Sequence, residues 1–74
     1  EDKQIESLVK IYENMKPKDA ARIFEKLEMD VLLSVVQRMK ERKTAPVLAA
    51  MNAERAQEIT LELATRRELP LPRD

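Results

Sequence analysis

Residues 20–27 read AARIFEKL and residues 32–39 read LLSVVQRM, and the two octets carry apolar groups at the same places. At a spacing of twelve, Ala20 pairs with Leu32, Ala21 with Leu33, Ile23 with Val35, Phe24 with Val36 and Leu27 with Met39. The register extends both ways, to LVKIYENM at 8–15, TAPVLAAM at 44–51 and AQEITLEL at 56–63. All but three positions in these five columns are apolar, the exceptions being Thr44, Gln57 and Thr60. Within an octet the offsets place the apolar groups on one face of a helix. Twelve residues at about 100° each overshoot three turns by roughly 120°, so a single continuous helix would wind its stripe around the cylinder and bury none of it consistently. The chain is therefore expected to turn between units. The period predicts an all-α fold, a compact right-handed superhelix (an α-solenoid) of about five short helices near residues 2–14, 17–27, 30–40, 44–51 and 53–66. The predicted core is Met15, Ile23, Phe24, Leu27, Val35, Val36, Met39, Val47, Leu48, Met51, Ile59 and Leu63. Tyr12 shares the register of Phe24, so its ring should pack while its hydroxyl reaches the surface.

The punctuation agrees with such a chain. Pro17 suits a first helical turn, Asp30 and Asn52 read as N-caps, and Thr44 before Pro46 reads as another start. The 74 residues include no glycine, so the turns must close without a glycine C-cap, by short 3₁₀-like or Asx-type links. The final unit, with Gln57 and Thr60 in apolar columns, reads as a polar-leaning terminal cap. Three regions result. Residues 1–16 form a lead-in helix whose Ile5, Leu8, Ile11/Tyr12 and Met15 alternate at three and four, as the end of a coiled coil does. Residues 17–67 form the repeat domain. Residues 68–74 carry Pro70 and Pro72, which exclude helix and predict an extended, polyproline-like tail. Its Leu69 and Leu71 are either draped over the domain or offered to a partner. The chain opens at Glu1, on a helical pattern and without an initiator methionine, and is expected to be part of something longer.

Composition narrows the chemistry. Without glycine there is neither a phosphate-cradling loop nor a dinucleotide fingerprint. Without Cys or His there is no thiol nucleophile, no imidazole base and no ordinary zinc site. No polar constellation converges in the sequence, so no catalytic residue, no cofactor-binding residue and no cofactor is assigned; the expectation is a binding or scaffolding module rather than an enzyme. Lys+Arg and Asp+Glu are equal at 14 each, which gives no electrostatic reason to expect nucleic acid. No apolar run is long enough to insert in a bilayer.

Three charged groups stand out. Glu54, Glu58 and Glu62 lie four residues apart along the last predicted helix, an acidic ridge for a basic partner or a solvated face. Arg38, Lys40, Arg42 and Lys43 surround the turn between the third and fourth helices, a site for an anion or partner, or cations placed to complement a helix dipole. No metal site is the first reading. The alternative set is Glu25, Glu28 and Asp30, which gather around a turn and could contact hydrated Mg²⁺ or Ca²⁺; there Asp30 reads better as a cap.

Residues 12–27, YENMKPKDAARIFEKL, with residues 38–60, RMKERKTAPVLAAMNAERAQEIT, resemble the C-terminal domain of the MotE family of flagellar motility proteins. The same spacing, M-x-P-x-x-A-A-x-I-F-E-x-L and then M-x-x-x-x-x-A-x-x-L-x-x-M, is similar to the N-terminal domain of MgtE magnesium transporters and to helical repeats of the switch protein FliG. The MotE resemblance implies a membrane-anchored parent, a periplasmic location, and a non-catalytic chaperone or scaffold role toward a protein partner of the flagellar motor such as MotC. It also leaves room for a homodimer through helix 1. The MgtE resemblance implies instead a cytoplasmic, Mg²⁺-sensing regulatory domain. Net charge is zero here rather than strongly acidic, which argues against the transporter.

Overall fold

Lys16, Glu28 and Lys40 sit twelve residues apart, and each has extended backbone immediately before a helix, with φ/ψ of −64/137°, −59/140° and −65/140°. Asn52 continues the series: its Oδ1 accepts from the Arg55 N–H at 2.8 Å and its carbonyl from the Ala56 N–H at 3.1 Å. The sequence period is thus a period of N-caps. The computed structural model describes residues 2–66, comprising α1 (Asp2–Glu13), α2 (Pro17–Phe24), α3 (Met29–Val36), α4 (Glu41–Ala50) and α5 (Ala53–Arg66). Among the described residues all regular structure is helical, and no helix is long and apolar enough to cross a membrane. The predicted tail, Leu69 and Leu71 included, lies outside the described residues.

The helices close without glycine by tightening their last turns. The N–H groups of Lys26 and Arg38 reach the carbonyls of Ile23 and Val35 three residues back, at 2.9 and 3.1 Å, and Met51 does the same with Leu48 at 3.1 Å. Such 3₁₀-type bonds satisfy carbonyls that an α-helical end leaves orphaned. They also shorten α2 and α3 relative to the predicted 17–27 and 30–40, since residues 25–27 and 37–39 form the turns.

Two predicted starts are corrected. α3 begins at Met29 with Glu28 as its N-cap, so Asp30 is a first-turn residue, where its charge complements the helix dipole. α4 begins at Glu41, not near Thr44, and Pro46 lies inside it. The burial of Met39 fixes where the chain must turn, and the first turn of α4 is closed by Lys43 and Thr44 N–H bonds to the Lys40 carbonyl at 2.8 and 3.0 Å. Pro46, having no N–H, leaves out one bond further along.

The core comprises Val9, Ala20, Ala21, Phe24, Leu32, Leu33, Val35, Val36, Met39, Val47, Met51 and Ile59. Packed against it are the half-buried Leu8, Tyr12, Met15, Leu27, Leu48 and Leu63. The Tyr12 and Phe24 rings, one unit apart, meet edge to face with centroids 4.9 Å apart, a favoured aromatic geometry. The extensive helix pairs are α1 with α3, α2 with α4 and α3 with α5, so each helix packs chiefly on the one two places along.

This alternate packing explains a departure from the predicted core. Ile23 is 41% exposed, and Ile11, in the same column, is 53% exposed, whereas Val35, Val47 and Ile59 further along that column are buried. The column Val9, Ala21, Leu33, Ala45, Gln57 behaves in the opposite way, buried in the first three helices and exposed in the last two. The first column therefore faces the helix two places back and the second the helix two places on. α1 and α2 have no helix two places back, and α4 and α5 none two places on, among the described residues.

Candidate functional site

The repeat brings charged side chains to helix ends that belong to other units. One carboxylate oxygen (Oε2) of Glu13, at the end of α1, accepts from the Lys40 N–H at the start of α4, at 2.8 Å. Glu25, just past α2, does the same for the Asn52 N–H before α5, also at 2.8 Å. Each bond joins residues 27 apart in sequence. A carboxylate beside the positive end of a helix is favourable both as acceptor and as charge. Neither glutamate is fully exposed.

Arg55 supplies the converse at the carbonyl end of α2. Its side chain is 18% exposed, and its guanidinium donates from Nε and Nη2 to the Phe24 carbonyl at 3.4 and 3.3 Å and from Nη2 to the Leu27 carbonyl. Nη1 lies 3.4 Å from Glu58 Oε1. The planar fork of arginine suits this, because several donors reach adjacent acceptors at once.

These contacts redistribute the residues singled out in the sequence. The acidic ridge is not uniform: Glu54 is exposed, Glu58 is engaged by Arg55, and Glu62 is half-buried with a partner of its own. The basic turn divides around Glu13. Arg38 and Lys40 line an open groove of about 550 Å³ with Glu6, Val9, Lys10 and Glu13. Arg42 and Lys43 line a separate cavity of about 220 Å³ with Tyr12, Glu13 and Met15 at the end of α1. Glu25, Glu28 and Asp30 are also drawn apart in role: Glu25 holds Asn52, Glu28 is the N-cap of α3, and Asp30 lies in its first turn with an interaction of its own. Among the described residues no three or more carboxylates come together to hold a metal ion.

The sequence did not point to Glu13, offered Glu25 only as a candidate metal ligand, and gave no sign that Arg55 clamps the end of α2. A signal for the glutamates existed, since Glu13 and Glu25 are twelve apart, as are Lys40 and Asn52. Arg55 carries a weaker mark: its counterpart Lys43 is also a cation, but Val31 and Asp19 are not.

The geometry defines a helical-repeat module in which Glu13, Glu25, Asn52 and Arg55 hold helix ends, with grooves between units and, among the described residues, no converging catalytic set. Residues 3–64 match the family model of the MgtE intracellular N domain, and the chain belongs to that family. No curated protein and no solved structure matches it. The match carries the MgtE part of the resemblance read from residues 12–27 and 38–60; it does not extend to MotE or to a periplasmic location. The family is a regulatory, non-catalytic one.

Proposed function

We propose that this chain is an intracellular regulatory domain of the MgtE type, non-catalytic, which acts through contacts of its exposed helix faces and grooves with other protein. The observation that carries the reading is the family match over residues 3–64. The packing supports it. Stability resides in apolar columns and helix-end clamps, which leaves the exposed Glu54 and the cations Lys40, Arg42 and Lys43 available to a partner. Divalent-ion sensing fits this reading if Glu25, Glu28 and Asp30 respond at the surface, each as a separate carboxylate or together with groups of a neighbouring domain.

A second reading, a scaffold or chaperone domain of a MotE-like motility protein, is favoured by two observations: the net charge is zero, and Glu25 already serves as a helix cap. Titrating Mg²⁺ while following backbone amide shifts separates the two. The regulatory reading expects saturable shifts at Glu25, Glu28, Asp30 and Asn52, with a midpoint on the order of millimolar. A titration that stays flat, with Mg²⁺ and with Ca²⁺, removes ion sensing and leaves the scaffold reading in its place.

A further inference from the structure

Among the described residues the array ends in two unlike faces. The column Ile11, Ile23, Val35, Val47, Ile59 is buried in the three helices that have a helix two places back and exposed in the first two. The column Val9, Ala21, Leu33, Ala45, Gln57 is buried in the three that have a helix two places on and exposed in the last two. The two columns are thus the two sides of one joint, which the chain makes three times, as α3 on α1, α4 on α2 and α5 on α3. At the first end of the array Ile11 and Ile23 show one side of it. At the last end Ala45 and Gln57 show the other, and Ala45 lines a groove of about 210 Å³ with Thr44, Leu48 and Leu63.

We propose that a second copy of this chain continues the array head to tail, α1 and α2 of one copy packing on α4 and α5 of the next. The register then sets Ile11 of the incoming copy toward Ala45 and its Ile23 toward Gln57. Leu61, four residues after Gln57 and 57% exposed, adds apolar surface on that side of α5.

Charge selects this occupant. Lys16, Lys18 and Lys26 are exposed on α2 and its flanks, where Arg22 is paired with Asp19 at 3.0 Å. On α5 Glu54 is exposed, and Glu58 keeps its side chain 63% exposed although Arg55 lies 3.4 Å away. The two helices that the register brings together therefore carry opposite charge. Like ends are disfavoured by the same groups, since α2 on α2 sets cations against cations and α5 on α5 sets carboxylates against carboxylates. A contact of this kind is heterologous and leaves one side of the joint open at each end of an open assembly. The proposal stands apart from the regulatory reading: a monomeric chain would leave the family match over residues 3–64 as it is.

Sedimentation velocity of the full 74-residue chain, from about 20 µM to about 1 mM at low salt, tests it. Ile23→Glu blocks the first end and Ala45→Glu the last; both sites are exposed, so the helices of each variant should remain intact by circular dichroism. Ile11→Glu is a second block of the first end. The unaltered chain should gain mass with concentration, and less so as salt screens the opposed charges. Each variant alone should associate at least about tenfold more weakly. An equimolar mixture of Ile23→Glu and Ala45→Glu, each with one sound end, should form a one-to-one pair and grow no further. A chain that stays monomeric to about 1 mM overturns the proposal. Self-association of Ala45→Glu alone overturns it too, by showing like ends together, as does a mixture that fails to pair. Association that appears only after removal of residues 67–74 also overturns it, and assigns the groove to the chain's own end.

Discussion

The carboxylate of Glu13 holds the backbone N–H of Lys40 at 2.8 Å, and twelve residues on Glu25 holds Asn52 at the same distance. A side chain at the end of one helix thereby fixes the start of a helix elsewhere in the array. These bonds do what an N-cap side chain does for its own helix, satisfying an N–H where the helix begins, but they do so across units.

Replacing Glu13 by alanine should lower stability by about 1–2 kcal/mol, the usual loss for removing a side-chain cap with a charged acceptor. Glu25→Ala should cost a similar amount. The two act on different helices, so the double variant should lose nearly the sum of the two. Urea unfolding midpoints at constant slope measure all three. A negligible loss in both single variants would mean that water replaces the carboxylates without cost.

Arg55→Ala removes a partly buried fork from the Phe24 and Leu27 carbonyls, and a loss of about 2 kcal/mol is expected. Arg55→Lys should restore only part of this, since an ammonium cannot span both carbonyls as a planar guanidinium does. Thermal unfolding of the pair checks the order; equal stability of Lys and Arg at this position would show that charge alone matters.

Lys43 occupies in α4 the place that Arg55 holds in α5, and it lines the cavity beside Tyr12 and Met15 at the end of α1. Lys43→Arg should therefore install a second clamp and raise stability by about 0.5–1 kcal/mol. Slower hydrogen exchange at the Asn14 and Met15 amides would locate the gain at that turn. A gain without local protection there would point to some other cause.

Ile11 and Ile59 stand in one column at opposite ends of the array. Ile59→Ala should cost about 2–5 kcal/mol, the range for emptying a filled core site. Ile11→Ala, at 53% exposure, should change stability by about 0.5 kcal/mol. Comparable losses from the two would mean that α1 is covered on its outer face in solution.

The period of the apolar columns was enough to place five helices, because burial along one face is the main force on a chain of this kind. What it did not convey was direction. Ile23 and Val35 look alike as residues, and only the α1–α3, α2–α4 and α3–α5 packing makes one exposed and the other buried. Helix starts were misjudged for a related reason. Asp30 and Thr44 have the local chemistry of starts, but the turns are set by the burial of Leu27 and Met39 one position before each cap, which overrides intrinsic preference. The site residues were least legible. Glu13 and Glu25 keep the twelve-residue spacing, but they act on atoms 27 residues away, and only the helix packing tells which backbone N–H each one reaches.

Packing between alternate helices makes the domain two interleaved stacks, α1–α3–α5 and α2–α4, threaded by one chain. Inserting a single twelve-residue unit would move every later helix from one stack to the other, whereas inserting two would return each helix to its own. Tolerated changes in length should therefore come in steps of twenty-four residues in the interior and of twelve only at an end.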